Sequence, residues 1–184
     1  MSTLMGLQDI YYAKLTKDDS TGTTYETPVK LGHAISVDIN YNSTTATQYG
    51  DNMAVATVTK LNDVTITIDS TEIPLKDKAI LLGNTFDSVT GSLTGKGDDD
   101  APYVAIMFRG NKSTGGDIYR TYYKGKFAPS QQTINTQADN IDFQTMPLEG
   151  TFIARDSDGK FFYEIDTDAG SNATIASSWF ESVK

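Results

Sequence analysis

The chain has 184 residues, 38% of them hydrophobic, with 15 Lys+Arg against 24 Asp+Glu for a net charge of −9. That length predicts one domain with a sizeable core, and no apolar run approaches the ~18 residues of a membrane helix. The acidic balance argues against adhesion to duplex DNA or anionic lipid. The absence of Cys, with His33 the single His, excludes thiolate zinc sites, disulfide scaffolds, Cys nucleophiles and multi-histidine metal centres.

Met1–Asp9 carries no basic start and no apolar core of a secretory signal, so synthesis in the cytoplasm is expected. Residues 8–15 read as a first strand and 16–27 as a polar loop. Ile35, Val37, Ile39 and Tyr41 alternate with Ser36, Asp38 and Asn40, and Val64, Ile66 and Ile68 do so with Thr65 and Thr67. A period of two marks strands with one wet face. Residues 42–61 between them are rich in Thr and poor in large apolar groups.

A helix is predicted over about 74–82: Pro74 suits the first turn, Leu75, Ala79 and Leu82 share a face, and Gly83 is a stop. Residues 83–100, with four Gly and Asp98-Asp99-Asp100, read as a flexible loop. Tyr103–Phe108 is a continuous apolar run suited to a strand buried on both faces.

From 117 to 127 strict alternation puts Tyr119, Thr121, Tyr123, Gly125 and Phe127 on one face. Ile118, Arg120, Tyr122, Lys124 and Lys126 fall on the other. Ile141 and Phe143 start a further strand, and 148–155 with 160–166 read as a hairpin turning at Asp158-Gly159. Asn172 suits an N-cap for a short C-terminal helix over about 173–182, with Ile175, Trp179 and Val183 inward.

Strands adjoin strands rather than alternate with helices. The fold class is therefore mainly β: a β-sandwich or barrel-like domain with two short helices. Thr, at 25 residues, and the 18 Tyr and Phe favour the same class.

No catalytic constellation stands out. Gly95-Lys96-Gly97 lacks the spacing and the hydroxyl of a phosphate loop. Asp98–Asp100, Asp156 with Asp158, and Asp166 with Asp168 lack the later Glu of a calcium loop. His33 has no motif around it, and nothing singles out two acids as a glycosidase pair. Neither a metal nor a cofactor is expected.

Residues 101–127 hold Arg109, Lys112, Arg120, Lys124 and Lys126 against Asp117 alone. On an acidic chain this suits a basic subunit-contact face, formed by Arg109, Arg120, Lys124 and Lys126, that meets acids of another copy. A carbohydrate-binding sandwich is the rival reading, with Tyr11, Tyr12, Tyr119, Tyr122 and Tyr123 as its aromatic platform.

A series of blocks in order along nearly the whole chain resembles one family. They are Gly6–Leu15, Tyr25–Lys30, Ala101–Ile106, Tyr123–Ala128, Phe143–Thr145, Gly150–Phe152 and Trp179–Val183. The series resembles the major tail (tail tube) proteins of long, non-contractile-tailed bacteriophages of Gram-positive hosts. The resemblance implies a β-sandwich subunit with a packed helix, with six copies closing into a ring and rings stacking into a hollow tube that conducts DNA. It implies tape-measure, tail-tip and terminator proteins as partners, a place in the virion tail, and no membrane partner or catalysis.

Within that frame, 42–61 is expected to be a hairpin arm that orders against the next ring. Its contact residues are expected to be Thr44, Thr45, Thr47, Gln48, Tyr49, Met53, Val55 and Val58. Unpaired Asp and Glu are expected to line the bore, since duplex DNA would stick to a basic one.

Overall fold

The computed structural model describes residues 3–131, 146–168 and 173–184; the expected strand start at Ile141 and Phe143 and the expected N-cap Asn172 lie outside them. The fold is mainly β, with eleven strands and two short helices among the described residues. The strands are β1 (Leu4–Asp19), β2 (Gly22–Tyr25), β3 (Val29–Lys30), β4 (Ala34–Gly50), β5 (Met53–Ser70), β6 (Thr85–Asp87), β7 (Ser92–Thr94), β8 (Val104–Lys112), β9 (Asp117–Ala128), β10 (Met146–Ile153) and β11 (Phe162–Asp166). The helices are α1 (Leu75–Leu82) and α2 (Ala173–Ser177).

One antiparallel sheet runs β2-β1-β8-β9-β10-β5-β4, with β3 added to β1 and β11 to β9. It does not close into a barrel but bends over its main core, as a sandwich does. Ile10 and Tyr12 of β1 share that core with Val64, Ile66 and Ile68 of β5, and Leu81 and Leu82 of α1 seal one end.

The outer face of β8 and β9 is covered too. Met107, Tyr119 and Ile165 pack on Trp179, flanked by Tyr11, Phe180 and Val183. Layers on both sides explain why Val104–Phe108 is apolar without alternation.

Several expectations change. Residues 16–27 are not a loop: β1 continues to Asp19 and pairs with β2 in a short hairpin. Residues 83–100 carry the hairpin β6–β7 rather than an open loop. Asp87 fixes its turn by accepting hydrogen bonds from Val89 N at 2.9 Å and Thr90 Oγ1 at 2.7 Å.

The strands β10 and β11 do not form a hairpin with each other. Both lie along the same edge of β9, β11 against 118–122 and β10 against 124–128. Where that edge changes hands, β9 bulges: Ile106 opposes Tyr122 but Val104 opposes Gly125. The extra residue switches sides, so Tyr122, Gly125 and Phe127 all meet the β10–β5 core while Tyr119 and Thr121 face outward. Strict alternation therefore mis-sorts the strand's second half. Gly125 leaves room for a close approach, because a Cβ there would lie 2.4 Å from the Phe152 ring.

Pro74 is the N-cap of α1 rather than a first-turn residue, its carbonyl accepting from Lys78 N at 2.9 Å. Gly83 ends the helix in the left-handed conformation at φ 72°, and a side chain there would strike the Asp100 carbonyl at 2.2 Å. The buried face is Ala79, Leu81 and Leu82; Leu75 stays exposed. The second helix stops at Ser177 instead of reaching 182. Ser177 and Ser178 turn their hydroxyls back onto the Thr174 carbonyl, and Trp179 N bonds three residues back to Ala176 O. Trp179 still reaches full burial from a turn.

The pairing register also sets a polarity. One end of the sheet carries the start of β1 against Lys112, the β8–β9 turn and the outward run of β4–β5. The opposite end carries Ser70 against Met146, the end of β9 and the helix α1.

Candidate assembly surfaces

The strands β4 and β5 outgrow the sheet. From Val64 to Ser70, β5 pairs with both β4 and β10, but from Met53 to Asp63 it pairs, among the described residues, with β4 alone. Beyond Asn42 the pair is a two-stranded ribbon whose two edges are open among the described residues. Nine residues, Asn42 to Gly50, carry it about 27 Å outward at ~3.4 Å per residue.

Its root is anchored by Asn42 Nδ2, which donates to Asp63 Oδ1 at 2.5 Å and Thr65 Oγ1 at 3.1 Å. Its tip is a two-residue turn, Asp51 (φ 50°) and Asn52 (φ 61°). Both central residues are left-handed, as the type I′ hairpin turn requires, and Asp and Asn are the side-chain-bearing residues that accept it best. That dipeptide was the signal in the sequence that a tight hairpin turns there.

The ladder assigns faces to the expected contact residues. Thr45 opposes Thr59 and Thr47 opposes Thr57, with hydroxyls 3.0 and 3.4 Å apart; Tyr49 continues this face. Thr44, Gln48 and Val58 lie on the other face, with Ala46 and Ala56. Val55 is the extra residue of a bulge, since Gln48 opposes Ala56 but Tyr49 opposes Ala54. Tyr49 (72%), Met53 (71%), Val55 (68%) and Val58 (68%) are exposed together. Exposed apolar groups on a projecting ribbon, and strand edges with free backbone groups, are chemistry that a partner surface can use.

The four cations expected on one contact face are not on one face and are not free. Arg120 lies on the core-facing side beside Phe108, and its guanidinium Nη2 donates to Glu164 at 3.1 Å. On the outer side Arg109 pairs with Asp9 at 2.5 Å and Asp117 at 3.5 Å, and Lys126 pairs with Asp100 at 2.7 Å.

Lys124 is buried, held by Asp18 at 2.8 Å and Asp156 at 2.7 Å. Burial opposes the charge on Asp18, but Lys124 and the amides of Asp156 and Ser157 outweigh it and hold the carboxyl well below the usual range. This cluster ties the β1 end to the segment after β10. It is an internal staple. The bulge in β9 and the long-range acids that pair with these cations leave no local signature in the sequence.

The acid pairs weighed as cation ligands are spent in the same way. Asp158 takes Arg155 at 2.6 Å and Lys160 at 3.2 Å, and Asp166 and Asp168 both take Lys112. Among the described residues no group of three or more His, Cys, Asp or Glu is placed to hold a metal ion. The aromatic platform of the rival reading is largely absent from the surface, because Tyr12, Tyr119, Tyr122 and Tyr123 are buried.

A model of the phage tail tube protein family matches residues 20–175, from the end of β1 to α2. A comparison with curated proteins gives no match. The matched span contains the projecting ribbon and the strands β2 to β11, while β1, with the staple residue Asp18, precedes it. The chain thus belongs to the phage tail tube protein family and is a structural component of a bacteriophage tail tube.

Proposed function

We propose that copies of this chain close into rings, six to a ring, and that the rings stack into the tube through which DNA leaves the virion. The observation that carries this reading is the β4–β5 ribbon, with its open edges and its exposed Tyr49, Met53, Val55 and Val58. A ring needs a heterologous contact that closes, and a tube needs a second that does not. The ribbon supplies the second: residues 42–61 bridge to the adjacent ring through Thr44, Thr45, Thr47, Gln48, Tyr49, Met53, Val55 and Val58. The whole chain acts as one tail-tube domain without catalysis.

The net charge of −9 suits the conduit, because unpaired carboxylates on the bore repel the phosphates of passing duplex and leave a hydrated path. The phage is of the long, non-contractile-tailed kind on a Gram-positive host, the chain is made in the host cytoplasm, and tape-measure, tip and terminator proteins are its other partners. Negative-stain electron microscopy of the concentrated protein tests the reading. Hollow tubes are expected from the full chain, and folded but unpolymerised protein from a variant lacking 44–57. Normal tubes from that deletion, or persistent monomers from the full chain under every condition that concentrates it, overturn the proposal.

A further inference from the structure

A ribbon that bridges to the next ring leaves the helix end, at the opposite end of the sheet, as the face a following copy can meet. The helix end carries a slot of about 240 Å³ lined by Lys78 and Leu82 of α1, Pro129 and Ser130 after β9, and Pro147 and Leu148 of β10. It combines an apolar floor with one half-buried cation, and among the described residues no carboxylate pairs with Lys78. At the other end of the molecule the ribbon tip presents the complementary set. Asp51 is its one acid, is exposed and has no ion-pair partner among the described residues, and the strongly exposed Tyr49 and Met53 flank it.

Resting on the ribbon as the inter-ring contact, we propose that this slot receives the ribbon tip of a second copy of this chain. Asp51 pairs with Lys78, while Met53 and Tyr49 cover Leu82 and Pro129. The two features cannot meet within one subunit, because the sheet register holds them at opposite ends. One unmatched acid and one unmatched cation, each set among apolar groups, also fix the register of one ring on the next, since a like-charge contact is penalised.

The chain contains no Cys, so introduced thiols report on this contact without background. Chains carrying Met53→Cys and chains carrying Pro129→Cys, a pair the docking brings into contact, are mixed, concentrated into tubes and oxidised. The expected product is a covalent dimer of one chain of each kind, absent when either variant is oxidised alone. In parallel, Lys78→Glu sets a carboxylate against Asp51 and is expected to raise the critical concentration for tube formation several-fold. Asp51→Asn, which the left-handed turn accepts, relieves that repulsion. Intact tubes with no mixed dimer, or a Lys78→Glu variant that polymerises like the parent, overturn the docking site and leave the ribbon's general role standing. Failure of the full chain to form tubes, or normal tubes from the 44–57 deletion, instead removes the reading on which the docking site rests.

Discussion

Replacing Lys124 with Met separates a structural staple from an assembly contact. Lys124 and Asp18 have side chains only 8% and 4% exposed, so the change leaves a carboxylate buried without its cation. Removing one partner of a buried pair costs roughly 3–5 kcal/mol. Here Asp18 keeps the amides of Asp156 at 2.8 Å and Ser157 at 3.1 Å, which lowers the expected loss to about 2–3 kcal/mol.

With a urea m-value near ~2 kcal/mol/M, that loss moves the unfolding midpoint down by about 1–1.5 M at neutral pH. The sign with pH follows from the depressed carboxyl of Asp18. Its contribution is present above the unfolded value of about 4 and is lost as pH falls through the folded one. The parent and the Lys124→Met variant therefore converge as the pH drops below about 4. A double-mutant cycle with Asp18→Asn should recover part of the loss. A variant with the parent's midpoint but impaired assembly would refute the staple and restore Lys124 as a contact residue.

Two further perturbations probe the tip and the core. Changing Asp51 and Asn52 together to Ala places two residues in left-handed backbone at about 1 kcal/mol or more each. Amide exchange across 44–58 should quicken while the core's melting is unchanged, and unchanged exchange would count against the turn as the organiser of the ribbon. Burial pushes the phenols of Tyr25 and Tyr123 up to about 12, against the pull of Arg155, and also raises Tyr12 and Tyr122, which are further held by bonds to Asp77 and Tyr41. Groups raised in the fold stabilise it fully below the unfolded value near 10, and that stabilisation fades as pH climbs toward 12. Ultraviolet titration should find these four tyrosines un-ionised at pH 11 in folded protein and ionised at once on unfolding; ordinary titration of all ten would contradict the packing.

What the sequence determined by itself is whatever one element's periodicity or one turn's chemistry dictates. The alternation Ile35–Tyr41 and Val64–Ile68 marks β4 and β5, the continuous run to Phe108 marks β8, and Gly83 marks the end of α1. The ordered series of blocks points to the family that matches residues 20–175. Tertiary structure alone decided how those elements meet. Whether β10 pairs with β11 or beside it on β9 depends on competition for one edge, and the bulge near Tyr122 that reassigns Gly125 and Phe127 lies where that edge passes from β11 to β10. Arg109, Arg120, Lys124 and Lys126 look like one basic stripe in sequence. Their neutralising acids, Asp9, Glu164, Asp18 and Asp100, come from other strands and loops, and long-range pairing has no local period by which it could be read.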